Sequence, residues 1–196
     1  MKKSALRAAF LDTIPVMAGY VFLGFGFGIL LCQSGYGVLW AFAMSLFIYA
    51  GSMQYLAIDL LCGGASLITA AITTLMVNAR HLFYGISMID KYQNTGKAKP
   101  YLIFALTDET YSLNCNGAPE GIENERAYYF LVSVLNQSYW VLGSALGSAL
   151  GSIIPFSTEG IDFALTALFV TVFTEQWQST KDHIPALVGL LAAIIC

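Results

Sequence analysis

Three stretches set ionisable side chains inside otherwise apolar sequence. Asn78-Ala79-Arg80-His81 interrupts one apolar run, Thr107-Asp108-Glu109-Thr110 a second, and Glu175 stands in a third. A charged side chain at the centre of a bilayer costs at least roughly 2.5–3.5 kcal/mol, so such groups face a cavity or one another. Arg80 has the charge to pair with Asp108 or Glu109. The same groups can also relay protons or touch a solute. Imidazole, with an unperturbed pKa of about 6.5, suits His81 to a relay, and a buried carboxyl can titrate near neutrality. Proton coupling is therefore expected at Asp108, Glu109 and Glu175. Asp12 reads as a charge at a helix N-terminus, and Lys181 and His183 read as solvated loop residues.

Two polar breaks carry a second kind of chemistry. Ala50-Gly51-Ser52-Met53-Gln54 interrupts an apolar run, and Thr174-Glu175-Gln176 interrupts another. A helix broken at membrane depth frees backbone N–H and C=O groups, which is tolerated only inside protein or beside a water-filled cavity. A freed half-helix N-terminus attracts a carboxylate, and freed carbonyls accept from an ammonium. Together those needs describe an amino-acid zwitterion. The alternative is a helix–helix contact held by Ser52 and Gln54. The candidate substrate residues are Gly51, Ser52, Gln54, Thr174 and Gln176, with Asn78, Arg80 and His81 lining or gating the path.

Other patterns lead elsewhere. Gly24, Gly26 and Gly28 resemble part of a dinucleotide fingerprint, but no strand precedes them. Gly143, Gly147 and Gly151, with Ser144 and Ser148, put small residues on one helical face, which lets two backbones approach closely in lipid. There is no His-Glu-x-x-His, nucleophile elbow or P-loop, and no cofactor or metal is expected. Asn136-Gln137-Ser138 fits a glycosylation sequon by chance inside an apolar run. The cysteines at 32, 62, 115 and 196 lie far apart and read as small hydrophobes.

The elements that must position these residues follow from composition. Of 196 residues, 57% are hydrophobic and 11% charged, with a mean hydropathy of +0.68. A soluble domain carries roughly 25% charged residues, so an ordinary cytosolic enzyme is excluded. A net charge of -3 offers no basic stripe for nucleic acid. Apolar runs at 14–31, 38–61, 65–89, 101–115, 127–152 and 161–177 are candidate membrane segments, with a shorter run at 184–196. The expectation is an all-α polytopic membrane bundle of six or seven segments in the lipid bilayer. The N-terminal run at 14–31 is too long for a signal h-region.

An internal repeat divides the chain. Tyr20-Val21-Phe22-Leu23-Gly24 running to Gly28 recurs as Tyr139-Trp140-Val141-Leu142-Gly143 running to Gly147. Leu46-Phe47-Ile48, then Ser52 and Gln54, recurs as Leu168-Phe169-Val170, then Thr174 and Gln176, at a similar offset of about 120 residues. The two related halves are placed at 10–90 and 127–196 within one transporter domain, the second expected to be cut short at the C-terminus. Duplicated halves with broken helices mark transporters whose solute site lies near the bilayer midplane. Lys2, Lys3 and Arg7, like Lys91, Lys97 and Lys99, call for the cytoplasmic side, yet three segments lie between the two groups. One segment is therefore expected to be re-entrant or broken, either 38–61 near Gly51 or 65–89 near Asn78.

These interruptions in this order resemble the large subunit of bacterial branched-chain amino-acid exporters, the AzlC permease family. The matching residues are Asp12-Thr13-Ile14-Pro15 with Gly19-Tyr20, then Phe22 through Gly28, Ala50 through Gln54, Asn78 through Gly85, and Thr107 through Thr110. The resemblance implies export of leucine, isoleucine, valine and often methionine across the bacterial cytoplasmic membrane by a multi-pass protein. It also implies a small hydrophobic partner subunit of the AzlD type and a proton or ion gradient as the driving force. A passive channel for a small neutral solute and a non-transporting scaffold subunit are the rival expectations.

Overall fold

In the computed structural model the described residues are 4–153 and, beyond them, 160, 163, 166–167, 170, 173–174, 177–178, 183–184, 187–189 and 191. Among the described residues there are helices and no strand. Two compact units divide the chain, Met1–Ser157 and Thr158–Cys196. In the second, Trp177 stacks on His183 with ring centroids 4.1 Å apart. Glu175, Gln176 and Lys181 lie outside the described residues.

Among the described residues of the first unit there are seven α-helices: α1 (Ala5–Gln33), α2 (Val38–Phe47), α3 (Gly51–Cys62), α4 (Leu67–Met88), α5 (Lys99–Phe104), α6 (Asp108–Cys115) and α7 (Glu125–Gly151). Local chemistry sets several ends. Ser66, Thr107 and Asn124 cap α4, α6 and α7, each accepting a backbone N–H of the first turn. Gly35 and Gly64, at φ 89° and 60°, turn the chain out of α1 and α3. By length and apolarity α1 is able to cross a membrane.

The path of the chain follows from its contacts. Ala9 is buried with Met88, Tyr92, Leu102, Tyr128 and Tyr129, and Ala5, Ala98, Cys115 and Ile122 pack against the same cluster. The start of α1, the end of α4, the start of α5, the end of α6 and the start of α7 therefore share one end of the bundle, here called the near end. At the far end Gly151 approaches Ile29 and Cys32. From there α2 runs inward, and α3 returns beside α1, where the Tyr55 hydroxyl donates to the Leu23 carbonyl at 2.6 Å. Then α4 crosses the whole bundle, while α5 and α6 dip in from the near end and return to it. The unit is thus three long helices with two hairpins of half-helices, one entering from each end.

Three sequence expectations change here. The run 101–115 is two short helices rather than one segment, because Thr107 starts a new helix. The run 65–89 is not broken at Asn78, and α4 is continuous through it. Asp12 lies inside α1, where its carboxylate accepts from the Tyr128 hydroxyl at 2.7 Å. The break near Gly51 is present: α2 ends at Phe47, and Tyr49 takes φ 44° before α3 begins. A bulky residue at positive φ costs on the order of 1–3 kcal/mol and persists only where its surroundings enforce it.

Small residues join α1 to α7. A Cβ on Gly24 would lie 2.9 Å from the Trp140 carbonyl oxygen, and one on Gly143 would lie 2.8 Å from that of Val21. Gly28 and Gly147 are tighter still, against the backbones of Ser144 and Phe25. Both helices start at the near end, so they run parallel, and Gly28 meets Gly147 across the contact.

Side-chain amides tie the half-helices to this pair. The Trp140 indole donates to Gln54 Oε1 at 2.8 Å, and Gln54 Nε2 donates to Ser45 at 3.1 Å. Gln137 donates to the Leu46 carbonyl at 3.0 Å, satisfying one of the free acceptors at the end of α2, and accepts from Tyr101 of α5 at 2.8 Å. Gln54 is fully buried, so Gln54→Leu would leave the indole N–H and the Ser45 hydroxyl unpaired. That change is expected to lower stability by about 1–3 kcal/mol, read as an earlier thermal unfolding midpoint in detergent. An unchanged midpoint would remove Gln54 from the framework.

Candidate functional site

The tips of the two hairpins meet at the middle of the bundle. One tip is the break at Tyr49 and the start of α3; the other is Thr107 and the start of α6. Arg80, on the inner stretch of α4, joins them: its Nη1 lies 2.6 Å from Asp108 Oδ2, and its Nη2 donates to Ser52 Oγ at 3.0 Å. The side chains of Arg80 and Asp108 are 31% and 22% exposed, so the pair is largely shielded from solvent.

The two helix starts differ. At α6, Thr107 Oγ1 accepts the Thr110 N–H at 3.2 Å, and Asp108 and Glu109 occupy the first turn, where acidic groups complement the helix dipole. No side chain caps α3, whose N-cap is Ala50. The first N–H groups of a helix have no intrahelical partner, so those of α3 are free donors beside Ser52 and Arg80. Two further buried polar atoms of the ion pair have no hydrogen-bond partner, Arg80 Nε and Asp108 Oδ1, so the pair keeps one donor and one acceptor to spare. Asn78 Oδ1 is also buried without a partner, two residues before Arg80 on α4 and so on a different face of that helix.

Glu109 points elsewhere. Its Oε2 accepts from the Tyr20 hydroxyl of α1 at 2.5 Å, and the same hydroxyl lies 2.6 Å from Thr107 Oγ1. Tyr49 is 3% exposed, and its hydroxyl faces Tyr20, Thr110 and Glu109.

The structure thus brings together Ser52, Arg80 and Asp108, with Glu109 next in the chain held by Tyr20; it shows no side-chain contact from Asn78 to this group. Gly51 packs against Trp140, where a Cβ would lie 3.0 Å from the indole. Gln54 is occupied by Ser45 and Trp140. His81 holds its Nδ1 3.3 Å from the Asn78 carbonyl and its ring edge-on to Tyr84. Thr174 donates to the Val170 carbonyl of its own helical turn at 2.7 Å. Sequence reasoning assigned no role at the site to Tyr20, Tyr49 and Thr107. Thr107 had a usable signal, since a threonine followed by two acids is a helix-start pattern; a tyrosine in an apolar run carries none.

Residues 15–154 match the sequence profile of the AzlC protein family. The chain is 47% identical, over 95% of its length and 74% of the relative's, to the "branched-chain amino acid transport protein AzlC" of Bacillus subtilis. It is 45% identical over 98% of its length, and 84% of the relative's, to an "uncharacterized membrane protein" of Helicobacter pylori. It is 29% identical over 93% of its length, and 78% of the relative's, to the "inner membrane protein YgaZ" of Escherichia coli. No solved structure matches it significantly.

Proposed function

This chain belongs to the AzlC protein family, a family of membrane proteins with a transport role, and we propose that it exports branched-chain amino acids across the bacterial cytoplasmic membrane. The observation that carries this reading is the Arg80–Asp108 pair at the meeting point of two helix breaks. The substrate carboxylate docks at Arg80 Nε, the Ser52 hydroxyl and the uncapped start of α3. The ammonium donates to Asp108 Oδ1, and Asn78 and His81 line the path. In the second repeat Thr174, Glu175 and Gln176 take the roles of the first break, and a carboxyl among Asp108, Glu109 and Glu175 couples transport to the proton gradient.

Topology follows from the same reading. The half-helices are 6–12 residues long, about 9–18 Å against a hydrocarbon core of about 30 Å. They are re-entrant, and α1, α4 and α7 span. Arg7, Lys91, Lys97, Lys99 and Arg126 then all lie at the near end, while residues 8–79 and 127–153 contain no lysine or arginine. The near end is cytoplasmic. The hairpin within 38–61 by itself removes the conflict between the two basic groups, and the second hairpin keeps Arg126 on the same side as both. Across the full chain the count is six or seven membrane segments, joined by the AzlD-type subunit that the family resemblance implies.

The test is loss of labelled leucine from proteoliposomes holding the chain with and without that subunit, under an imposed proton gradient. Saturable loss that follows the gradient is expected. Loss that never saturates and ignores the gradient would mean a channel, and none with either preparation would mean a scaffold.

A further inference from the structure

Adjacent carboxylates at the start of α6 have unlike partners. Asp108 holds Arg80 of α4, whereas Glu109 takes the phenol of Tyr20 on α1. That phenol has one proton and two oxygens within reach, Glu109 Oε2 at 2.5 Å and Thr107 Oγ1 at 2.6 Å. Whichever oxygen receives it, the other must donate to Tyr20 if both contacts are to be hydrogen bonds. An ionised Glu109 can only accept, so Tyr20 donates to it and the Thr107 hydroxyl turns toward Tyr20. The contact between Thr107 and Thr110 Oγ1, 3.0 Å long, is then donated by the Thr110 hydroxyl. A protonated Glu109 reverses the chain: its O–H donates to Tyr20, Tyr20 to Thr107, and Thr107 to Thr110. Thr107 also accepts the Thr110 N–H that caps α6, so the two states hold the same contacts with every hydroxyl of the chain turned round.

We propose that Glu109 carries the coupling proton and that Tyr20, as a positioning residue, passes its protonation to the N-cap of the half-helix whose Asp108 holds Arg80. This rests on the transport reading above and divides the labour within it: Asp108 serves the substrate and Glu109 the proton. Buried at 3% exposure, the Tyr49 hydroxyl faces the same cluster from the opposite hairpin and gives the break between α2 and α3 a contact with it. The titratable groups around Glu109 are Tyr20 from α1, Tyr49 from the break, Asp108 on α6 itself and Tyr84 from α4, with Arg80 beyond Asp108 and Tyr101 of α5 beyond Tyr49.

Leucine–leucine exchange at equal concentrations needs the substrate site but no net proton movement, whereas gradient-driven loss needs both. In reconstituted full-length chain, Glu109→Gln is expected to keep exchange within about threefold of the unmodified rate and to lose gradient-driven loss with its pH dependence. Asp108→Asn is expected to lose both. Tyr20→Phe should keep exchange while moving the pH midpoint of gradient-driven loss by on the order of one unit. Net loss that still follows the gradient in Glu109→Gln, or exchange that falls as far as in Asp108→Asn, overturns the proposal. Should Glu109→Gln fail to fold, Tyr20→Phe decides, and an unshifted midpoint overturns it. Unmodified protein that neither exchanges nor loses leucine removes the transport reading itself, a distinct result.

Discussion

Asp108→Asn is expected to cut leucine efflux roughly 100-fold. A hydrogen bond between charged groups contributes up to about 3 kcal/mol, and each 1.4 kcal/mol is a factor of ten. Asparagine is nearly isosteric, so its carbonyl oxygen can still accept from Arg80, and folding should survive. What disappears is the negative charge that would receive the substrate ammonium. Discrimination therefore provides the sharper readout. The unmodified protein should favour leucine over 4-methylpentanoate, which keeps the carboxylate and the branched chain but has no ammonium. In Asp108→Asn that preference should collapse, through a lost leucine interaction rather than a gain for the acid. If leucine competes as well as before against the acid in the variant, Asp108 does not hold the ammonium.

The second large effect is structural. Gly147→Leu should abolish the folded protein, since even a Cβ there would overlap the Phe25 carbonyl oxygen on the neighbouring helix. Overpacking a rigid contact costs about 1–3 kcal/mol when side chains can yield. Here backbone meets backbone, so α1 and α7 would have to separate along the whole contact. Gly28→Leu should behave alike, against Ser144. Gly19 on the same helix has nothing within 4 Å of an added Cβ, and Gly19→Ala should be neutral or slightly stabilising, because alanine is the better helix former. The check is the yield of monodisperse protein in detergent and its thermal midpoint. A Gly147→Leu variant as stable as Gly19→Ala would show that the close approach of the two helices is dispensable.

Much of this was legible before any coordinates. The apolar run at 127–152 became α7 with shifts of one or two residues at its ends, whereas α1 begins nine residues before the run at 14–31 and continues through Pro15. The face of Gly143, Gly147, Ser144 and Ser148 announced a close helix contact, although nothing in the sequence named its partner as Gly24 and Gly28, which stood out there as the matching stretch of the repeat. Arg80 was expected to meet Asp108 or Glu109, since isolated charges at depth must pair. The two basic groups posed a contradiction in sidedness that pointed to a break, and the stretch around Gly51 was one of its two named places.

Gln54 shows the limit. A polar residue beside a break reads equally as a solute ligand or as a helix tie, and its side-chain amide is spent on Ser45 and Trp140, partners from α2 and α7 that no local pattern connects. The second hairpin is a similar case. Half-helices of 6 and 8 residues fit inside a run that hydropathy reads as one segment.

Sequence alone determined that the chain is an α-helical membrane protein, where its long helices run, and which charges must find partners, because burial in lipid imposes those conditions residue by residue. Tertiary structure decided that two hairpins enter from opposite ends and meet, that Asp108 rather than Glu109 takes Arg80, and that Tyr20 takes Glu109. The physical reason is geometric. Neighbours on a half-helix point about 100° apart around its axis, so the fate of two adjacent acids depends on which distant helices stand on each side.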